Sequence, residues 1–368
     1  GKEFISFRNT GPTISLMRKK IRIFGLLVVL LVVAIPLVTA WVSSYLHQPL
    51  PLTEPSVVEV PRGAGLSQVL HALKKRGLLG EGYQADFRRV GARLYSSMTD
   101  MDGRMHVGEY RLRPGDSLLS LLEKMDRGEV IQRSLTLVEG WNFRELRLRL
   151  AAQESLSHTL DSLTDDQIME KLGRPDLHPE GWFAPETYFY TRGTSDLTIL
   201  RRALERQEAL LEEAWSQKAD DLPIDSPYEA LILASIIEKE TGVPDERPEI
   251  AGVFTNRLRK GMRLQTDPTV IYGMGEAYDG NIRRSDLRRP TPYNTYTISG
   301  LPPTPIAMPG REAIQAAVNP AETESLFFVA RGDGSHYFSK TLAQHRKAVR
   351  DYQLRRREGY RSSPGGSQ

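Results

Sequence analysis

Residues 234–244, ASIIEKETGVP, place two glutamates, Glu238 and Glu240, at the end of an apolar run that Gly242 and Pro244 then break. A carboxyl that emerges from an apolar helix surface loses hydration, which raises its pKa and keeps it protonated near neutrality, as a general acid requires. At about 100° per residue, Ile232, Leu233, Ile236 and Ile237 cover one arc, and Glu240 projects from its middle. Glu238 projects from roughly the opposite side, where it either tunes the local field or faces water. The plainer alternative is that a last-turn glutamate merely reaches past the core edge into solvent.

Two later segments change that balance. Residues 256–275, NRLRKGMRLQTDPTVIYGMG, gather Arg, Gln, Thr, Asp and Tyr around Gly and Pro breaks. Residues 290–310, PTPYNTYTISGLPPTPIAMPG, read as a loop of Tyr, Asn, Thr and Pro with little capacity for a core of its own. Long irregular segments in a compact domain usually build a site. Amides and hydroxyls interleaved with aromatic faces suit a sugar, whose rings stack on Tyr while its hydroxyls and acetamides meet Asn, Gln and Thr. Metal chemistry has no comparable footing, since neither His336 nor His345 falls into a ligand pattern, and no cofactor is expected. Phosphate-binding loops and nucleophile elbows are absent as well.

The elements that must carry these residues follow from local signals. Ser226-Pro227 open a helix that Gly242 ends. Upstream, residues 134–151 read as a strand and a helix, and TDDQIMEKLG carries its own Thr/Asp cap. Residues 180–190, EGWFAPETYFY, are dense in aromatics and turn residues. Residues 198–219 predict a charged helix that is mostly solvent-facing.

The N-terminal part has a different texture. Residues 23–42, IFGLLVVLLVVAIPLVTAWV, form an uncharged run long enough (about 20 residues) to span a bilayer as a helix. Arg18, Lys19, Lys20 and Arg22 precede it and no basic residue follows until Arg62, which predicts a cytoplasmic N-terminus with the rest outside. Trp41 and Tyr45 sit where an interfacial anchor would. The run exceeds a secretory h-region of roughly 7–15 residues. Residues 1–16 read as an expression scar, residues 17–22 as a cytoplasmic basic flank, residues 23–44 as the membrane helix and residues 45–56 as a Pro-rich spacer.

Residues 57–133 then carry two copies of strand, Pro/Gly turn and helix, VVEVPRGAGLSQVLHALKKRGLL and EYRLRPGDSLLSLLEKMDRGE, the second with Asp116 or Ser117 as cap and Gly128 after the helix. This order resembles the LysM-like modules that bind N-acetylglucosamine polymers. Residues 134–354 form the larger domain and residues 355–368 a polar tail. The fold class is α+β: one transmembrane helix, a small LysM-like α+β module and a mixed α+β catalytic domain.

Whole-chain composition agrees with several compact units and excludes others. The 368 residues are 40% hydrophobic and 26% charged, with a net charge of +3 and basic residues balanced along the chain, so nucleic acid is not an expected partner. With no cysteine, disulfides, thiolate metal sites and cysteine nucleophiles are all excluded.

Residues 234–275 together with YNTYTISGLPPTPIAMPG resemble the MltG/YceG family of membrane-anchored endolytic murein transglycosylases, and EGWFAPETYFY resembles the EG-aromatic-x-P-x-TY segment of that family. The resemblance implies cleavage of the β-1,4 bond between N-acetylmuramic acid and N-acetylglucosamine without water, leaving 1,6-anhydro ends. One glutamate would protonate the leaving oxygen and then, as carboxylate, take the proton of the muramic C6 hydroxyl. A helix-borne Glu followed by Ser marks related transglycosylases, and Glu240-Thr241 matches it better than Glu238-Lys239. Asp267 is a further candidate for the electrostatics, Gln265 and Thr266 for the acetamide or C6 hydroxyl, and Asn256 and Arg257 for the helix end or peptide stem. Tyr293, Asn294, Thr295 and Tyr296 are candidates for sugar subsites. Loop-stabilising hydrogen bonds are the alternative for each.

The resemblance also implies an inner-membrane protein whose catalytic domain lies in the periplasm, with glycan strands as substrate and peptidoglycan synthases as partners. Two other readings stay open: a muramidase using Asp267 as second carboxylate, and a non-catalytic glycan-binding scaffold.

Overall fold

A computed structural model describes residues 11–101 and 103–354. Residues 1–10 of the expected scar and the tail 355–368 lie outside the described residues. The chain divides into two compact units, residues 1–132 and 133–368.

The first unit contains α1 (Gly11–His47), β1 (Ser56–Val60), α2 (Leu66–Lys75), α3 (Gly82–Thr99), β2 (Gly108–Leu112) and α4 (Leu118–Arg127). Helix α1 exceeds the expected residues 23–44 at both ends and runs without a break through Met17. Its described side chains over residues 23–33 are all exposed apolar groups apart from Gly25, and the stretch Lys19–His47 is long and apolar enough to cross a membrane.

The two expected strand-turn-helix copies are joined through their strands. Their strands pair antiparallel in one sheet, Val58 opposite Tyr110, so each copy supplies half of a shared core. Ser117 is the cap of α4, in a reciprocal bond pair with Ser120, and Gly128 ends it at φ 67. Helix α3 was not anticipated; its buried face is made of small and polar residues, Ala85, Arg88, Gly91, Ala92 and Ser96, which give no apolar stripe to read.

Residues 45–56 are not a free spacer. Leu46 and Leu50 are buried in this core, the Leu50 N–H donates to the Asp116 carbonyl (2.8 Å) and Arg88 donates to the Pro49 carbonyl (3.0 Å). Leucines spaced four apart overrode the proline signal by offering apolar area to bury.

The second unit contains β3 (Arg133–Thr136), α5 (Phe143–Ala151), α6 (Asp165–Lys171), β4 (Thr187–Tyr190), α7 (Asp196–Ser216), α8 (Pro227–Glu240), α9 (Arg247–Arg259), α10 (Asp267–Met274), α11 (Arg284–Arg288), α12 (Arg311–Val318), β5 (Phe327–Ala330), β6 (His336–Ser339) and α13 (Leu342–Ala348). The strands form antiparallel pairs only, β3 with β4 and β5 with β6, so helices carry the unit.

Helix α8 is its axis. Every residue from 230 to 237 is buried, because α7, α9, α10 and α12 pack around it. The single apolar arc expected for this helix is therefore only part of a surface that is covered all round. Helix α7 is likewise less solvent-facing than expected. Ile199, Leu200, Leu204, Leu210 and Leu211 face the core, and buried Gln207 donates to the carbonyls of Gly181 and Pro309, both at 3.0 Å.

Residues 290–310 are irregular as expected, but their C-terminal part enters the core. Ile306, Ala307 and Met308 are buried, and the Ile306 N–H donates to the Ser235 hydroxyl (3.0 Å), which makes a loop into a packing element.

Close approach also fixes α9. A methyl group at Gly252 would lie 2.7 Å from the Ala321 carbonyl oxygen and 2.6 Å from the Thr323 side chain, so residues 321–323 cross the helix where only glycine fits. Gly252→Ala is expected to destabilise the second unit by about 1–3 kcal/mol, the usual cost of overpacking. Chemical denaturation checks this, and an unchanged midpoint would contradict the crossing.

Candidate active site

Ser226 caps α8 by accepting from the Glu229 N–H, Pro227 occupies its first turn, and the helix ends at Glu240 with Thr241 extended. Thr241 then shapes the exit. Its hydroxyl accepts from the Val243 N–H (2.9 Å) and donates to Glu246 (3.2 Å), whose carboxylate also holds buried His336 at 2.7 Å. The threonine after the glutamate thus locks the turn that aims the glutamate.

Glu238 and Glu240 part as their spacing requires, but Glu238 does not face water. Its carboxylate binds the buried Arg247 guanidinium (3.1 Å) and accepts the Gly310 N–H (3.0 Å), while Arg247 also reaches Glu139 (3.3 Å). Burial and the nearby Glu238 charge hold the Glu139 carboxyl above its usual range, against the pull of Arg247.

Glu240 is partly buried and accepts a short hydrogen bond from the Thr266 hydroxyl. Desolvation pushes its pKa up to about 7; the Thr266 bond and the Arg257 charge pull it down, and the Asp267 charge adds to the rise. Asp267 is exposed and accepts the Tyr296 hydroxyl (2.7 Å).

The turn that presents Thr266 is stitched by buried threonines. The Thr266 N–H donates to the Thr295 hydroxyl (3.0 Å), Thr295 and Thr269 share a hydroxyl contact (2.9 Å), and Thr269 donates to the Thr266 carbonyl (2.8 Å). Gln265, just before it, is held at φ 50, a left-handed conformation that costs a non-glycine residue energy and is met at functional turns.

Thr266, Asp267 and Tyr296 therefore gather around Glu240. Arg257 lies near enough to act on its charge, with burial lowering the guanidinium's own pKa, and donates to the carbonyls of Leu264 (2.6 Å) and Leu326 (2.7 Å). Asn256 is spent elsewhere, donating to the carbonyls of Thr323 (2.7 Å) and Ser325 (3.2 Å). Asn294 is also occupied: it donates to three carbonyls of residues 286–289 and accepts the Tyr296 N–H. These two asparagines shape loops, and Thr295 is buried beneath the site.

A cleft of about 760 Å³ adjoins the end of α8, lined among others by Asn142, His178, Glu180, Lys239, Tyr272, Tyr293 and Ile306. Glu180 and Tyr272 were not singled out from the sequence. Glu180 is buried, accepts from the Phe143 N–H (3.0 Å) and the Tyr272 hydroxyl (3.0 Å), and is raised to about 7 by desolvation against those bonds. Tyr272 in turn meets Tyr293 edge-on at 4.9 Å. The EG pair at 180–181 carried the only signal, since Gly181 at φ 85 sits where a side chain would strike Pro305 (2.6 Å).

Glu240 thus combines a desolvated carboxyl at a helix end with a hydroxyl donor and a neighbouring carboxylate, while the aromatic cleft beside it is lined by Lys239 and Glu180 and not by Glu240 itself. The sequence model of the YceG-like family matches residues 58–351, and the chain belongs to this family. An endolytic murein transglycosylase of Bacillus subtilis is 30% identical over 314 residues, covering 80% of this chain and 84% of that one. One from Streptococcus pneumoniae is 26% identical over 329 residues, covering 80% of this chain and 58% of that longer protein. The crystal structure of a YceG-like protein from Listeria monocytogenes aligns with a TM-score of 0.51 at 28% identity, covering 80% of this chain and 99% of that chain.

The two glutamates should respond oppositely to neutral substitution. Glu238→Ala strands the buried Arg247 charge and the Gly310 N–H and is expected to cost about 3 kcal/mol. Glu240 binds its proton more tightly folded than unfolded, so it favours folding below its unfolded pKa and that contribution is lost as pH rises through about 7. Glu240→Gln should therefore be more stable than the parent by about 1–3 kcal/mol at pH 8, with the gap closing near pH 4. Denaturation midpoints across that range measure both; a Glu240→Gln protein less stable than the parent at pH 8 counts against a desolvated acid.

Proposed function

We propose that the protein is a lytic transglycosylase acting within murein strands, with Glu240 as its acid and base. The observation that carries this is the Glu240 carboxyl, raised to about 7 as that of Glu180 is, but set at the helix exit against the Thr266 hydroxyl with the Asp267 charge beside it. Protonated Glu240 donates to the glycosidic oxygen between N-acetylmuramic acid and N-acetylglucosamine. The resulting carboxylate then takes the proton of the muramic C6 hydroxyl as that oxygen closes on C1, giving a 1,6-anhydro end and using no water. One residue serves both half-steps because its pKa lies near the working pH in either direction.

Asp267, with its charge next to Glu240, supports the positive character that develops at C1, and Tyr296 holds it in place. Thr266 keeps the carboxyl aimed. Gln265 at its strained turn and Tyr293 at the cleft border serve sugar subsites. The curated relatives are named for the same substrate and reaction, which supports the assignment.

Helix α1 is read as a single inner-membrane anchor with its N-terminus in the cytoplasm, on the flanking basic residues and the exposed apolar surface. The first unit is read as a LysM-like glycan-binding module and the second as a periplasmic domain working on nascent strands beside peptidoglycan synthases. A hydrolase using Asp267 as its second carboxylate is the competing chemistry.

Digestion of purified sacculi followed by mass spectrometry of the fragments separates them: anhydro ends are expected, and reducing ends would overturn the proposal. Glu240→Gln should lower the rate by about 10²–10⁴-fold, the range for general acid–base catalysis. Because the first half-step needs the protonated form, kcat/KM should be flat at acid pH and fall about tenfold per unit above pH 7. Thr266→Val removes a bond that favours the carboxylate, so it should move that limb to higher pH; a limb that stays in place would detach Thr266 from the titration.

A further inference from the structure

Helix α3 carries a second apolar face that its own unit covers only in part. Tyr83, Phe87, Val90, Leu94 and Met98 recur at spacings of four, three, four and four, which confines them to an arc of about 80° over a length of about 22 Å. They are 67%, 37%, 59%, 36% and 67% exposed, while the opposite face of the helix packs inward through Ala85, Arg88, Ala92 and Ser96. A continuous apolar stripe of that length on a water-facing helix marks a contact surface.

Its position says which one. The stripe is joined to the outer end of α1: the Phe87 ring lies 4.9 Å from Trp41 and 5.7 Å from Tyr45, and Tyr83 lies 5.9 Å from Phe87. Gly91 lets the two helices meet, since a methyl group there would stand 3.2 Å from Val42 and 3.5 Å from Leu46. Trp41 closes the apolar run of α1, the level at which aromatic residues sit between acyl chains and headgroups. Arg93 flanks the stripe on the shoulder away from Gly91, where anionic headgroups would meet it, while Arg89, farther round the helix, is half-buried and paired with Asp86 (3.5 Å).

We propose that α3 lies in the interface of the bilayer that α1 enters, with this stripe set into the acyl boundary, so that the first unit is seated on the lipid surface and not merely tethered to it. The proposal rests on the reading of α1 as a membrane span. The occupant is lipid and not a second copy of the chain, because the stripe is continuous with the Trp41–Tyr45 end of that span.

The absence of cysteine makes the test direct. The full chain is reconstituted in vesicles of phosphatidylethanolamine and phosphatidylglycerol with single Val38→Cys, Val90→Cys or Met98→Cys substitutions carrying an environment-sensitive fluorophore. Brominated lipid should quench the label at Val38, and also those at Val90 and Met98. Introducing Leu94→Glu should abolish quenching at Val90 and leave it at Val38. Quenching at Val38 alone overturns the proposal while leaving the anchor intact; if the Val90 label is then also shielded from iodide, a protein partner covers the stripe. Loss of quenching at all three positions removes the anchor reading and the proposal together.

Discussion

The ion pair of Glu238 with Arg247 is the constraint on which the second unit depends. Helix α8 is buried all round from residue 230 to 237, so it is stable only when α7, α9, α10 and α12 enclose it, and enclosure takes the Glu238 carboxylate out of water at its end. Glu238 resolves this by binding the start of α9 through Arg247 and the end of the 290–310 loop through the Gly310 N–H. One carboxylate fastens the end of α8, the start of α9 and the end of that loop together. With the helix end fixed in this way, Glu240 two residues on leaves the bundle at a set angle.

That placement creates an electrostatic tension that the neighbouring residues tune. Desolvation favours the protonated form of Glu240, and the Asp267 charge adds to it; the Thr266 hydroxyl and the Arg257 charge pull the other way. The turn that brings Thr266 forward is stabilised by Thr269 and Thr295 beneath it, and the turn's cost appears as the left-handed Gln265. A second desolvated carboxyl, Glu180, faces the adjoining cleft but is engaged by the Phe143 N–H and Tyr272, which ties the EG turn to the Tyr272–Tyr293 aromatic pair. Thus the cleft wall and Glu240 are supported by separate hydrogen-bond systems.

The first unit shows the opposite economy of surface. It closes a small core by drawing in Leu46 at the end of α1 and Leu50 just after it, and by pairing strands from two similar segments. Having buried one face of α3, it leaves apolar residues on the other, in contact with the aromatic end of α1.

The sequence by itself determined the features that rest on local chemistry. The apolar run of α1, the caps at Ser226 and Gly128, the break after Glu240 and the irregular character of 290–310 follow from periodicity, capping and turn residues acting over a few positions. It also separated Glu240 from Glu238, since residues two positions apart on a helix diverge by about 200°. Tertiary structure decided what those residues meet. Glu238 became a buried clamp because Arg247, nine residues away, folds back on it; Asn256 and Asn294 were drawn to backbone carbonyls remote from Glu240; the Pro-rich stretch after α1 was captured by a core it could not announce. Glu180 and Tyr272, ninety-two residues apart, form a pair that no local pattern encodes. Burial, hydrogen-bond partners and pKa values are properties of enclosure, and enclosure exists only once distant segments have packed.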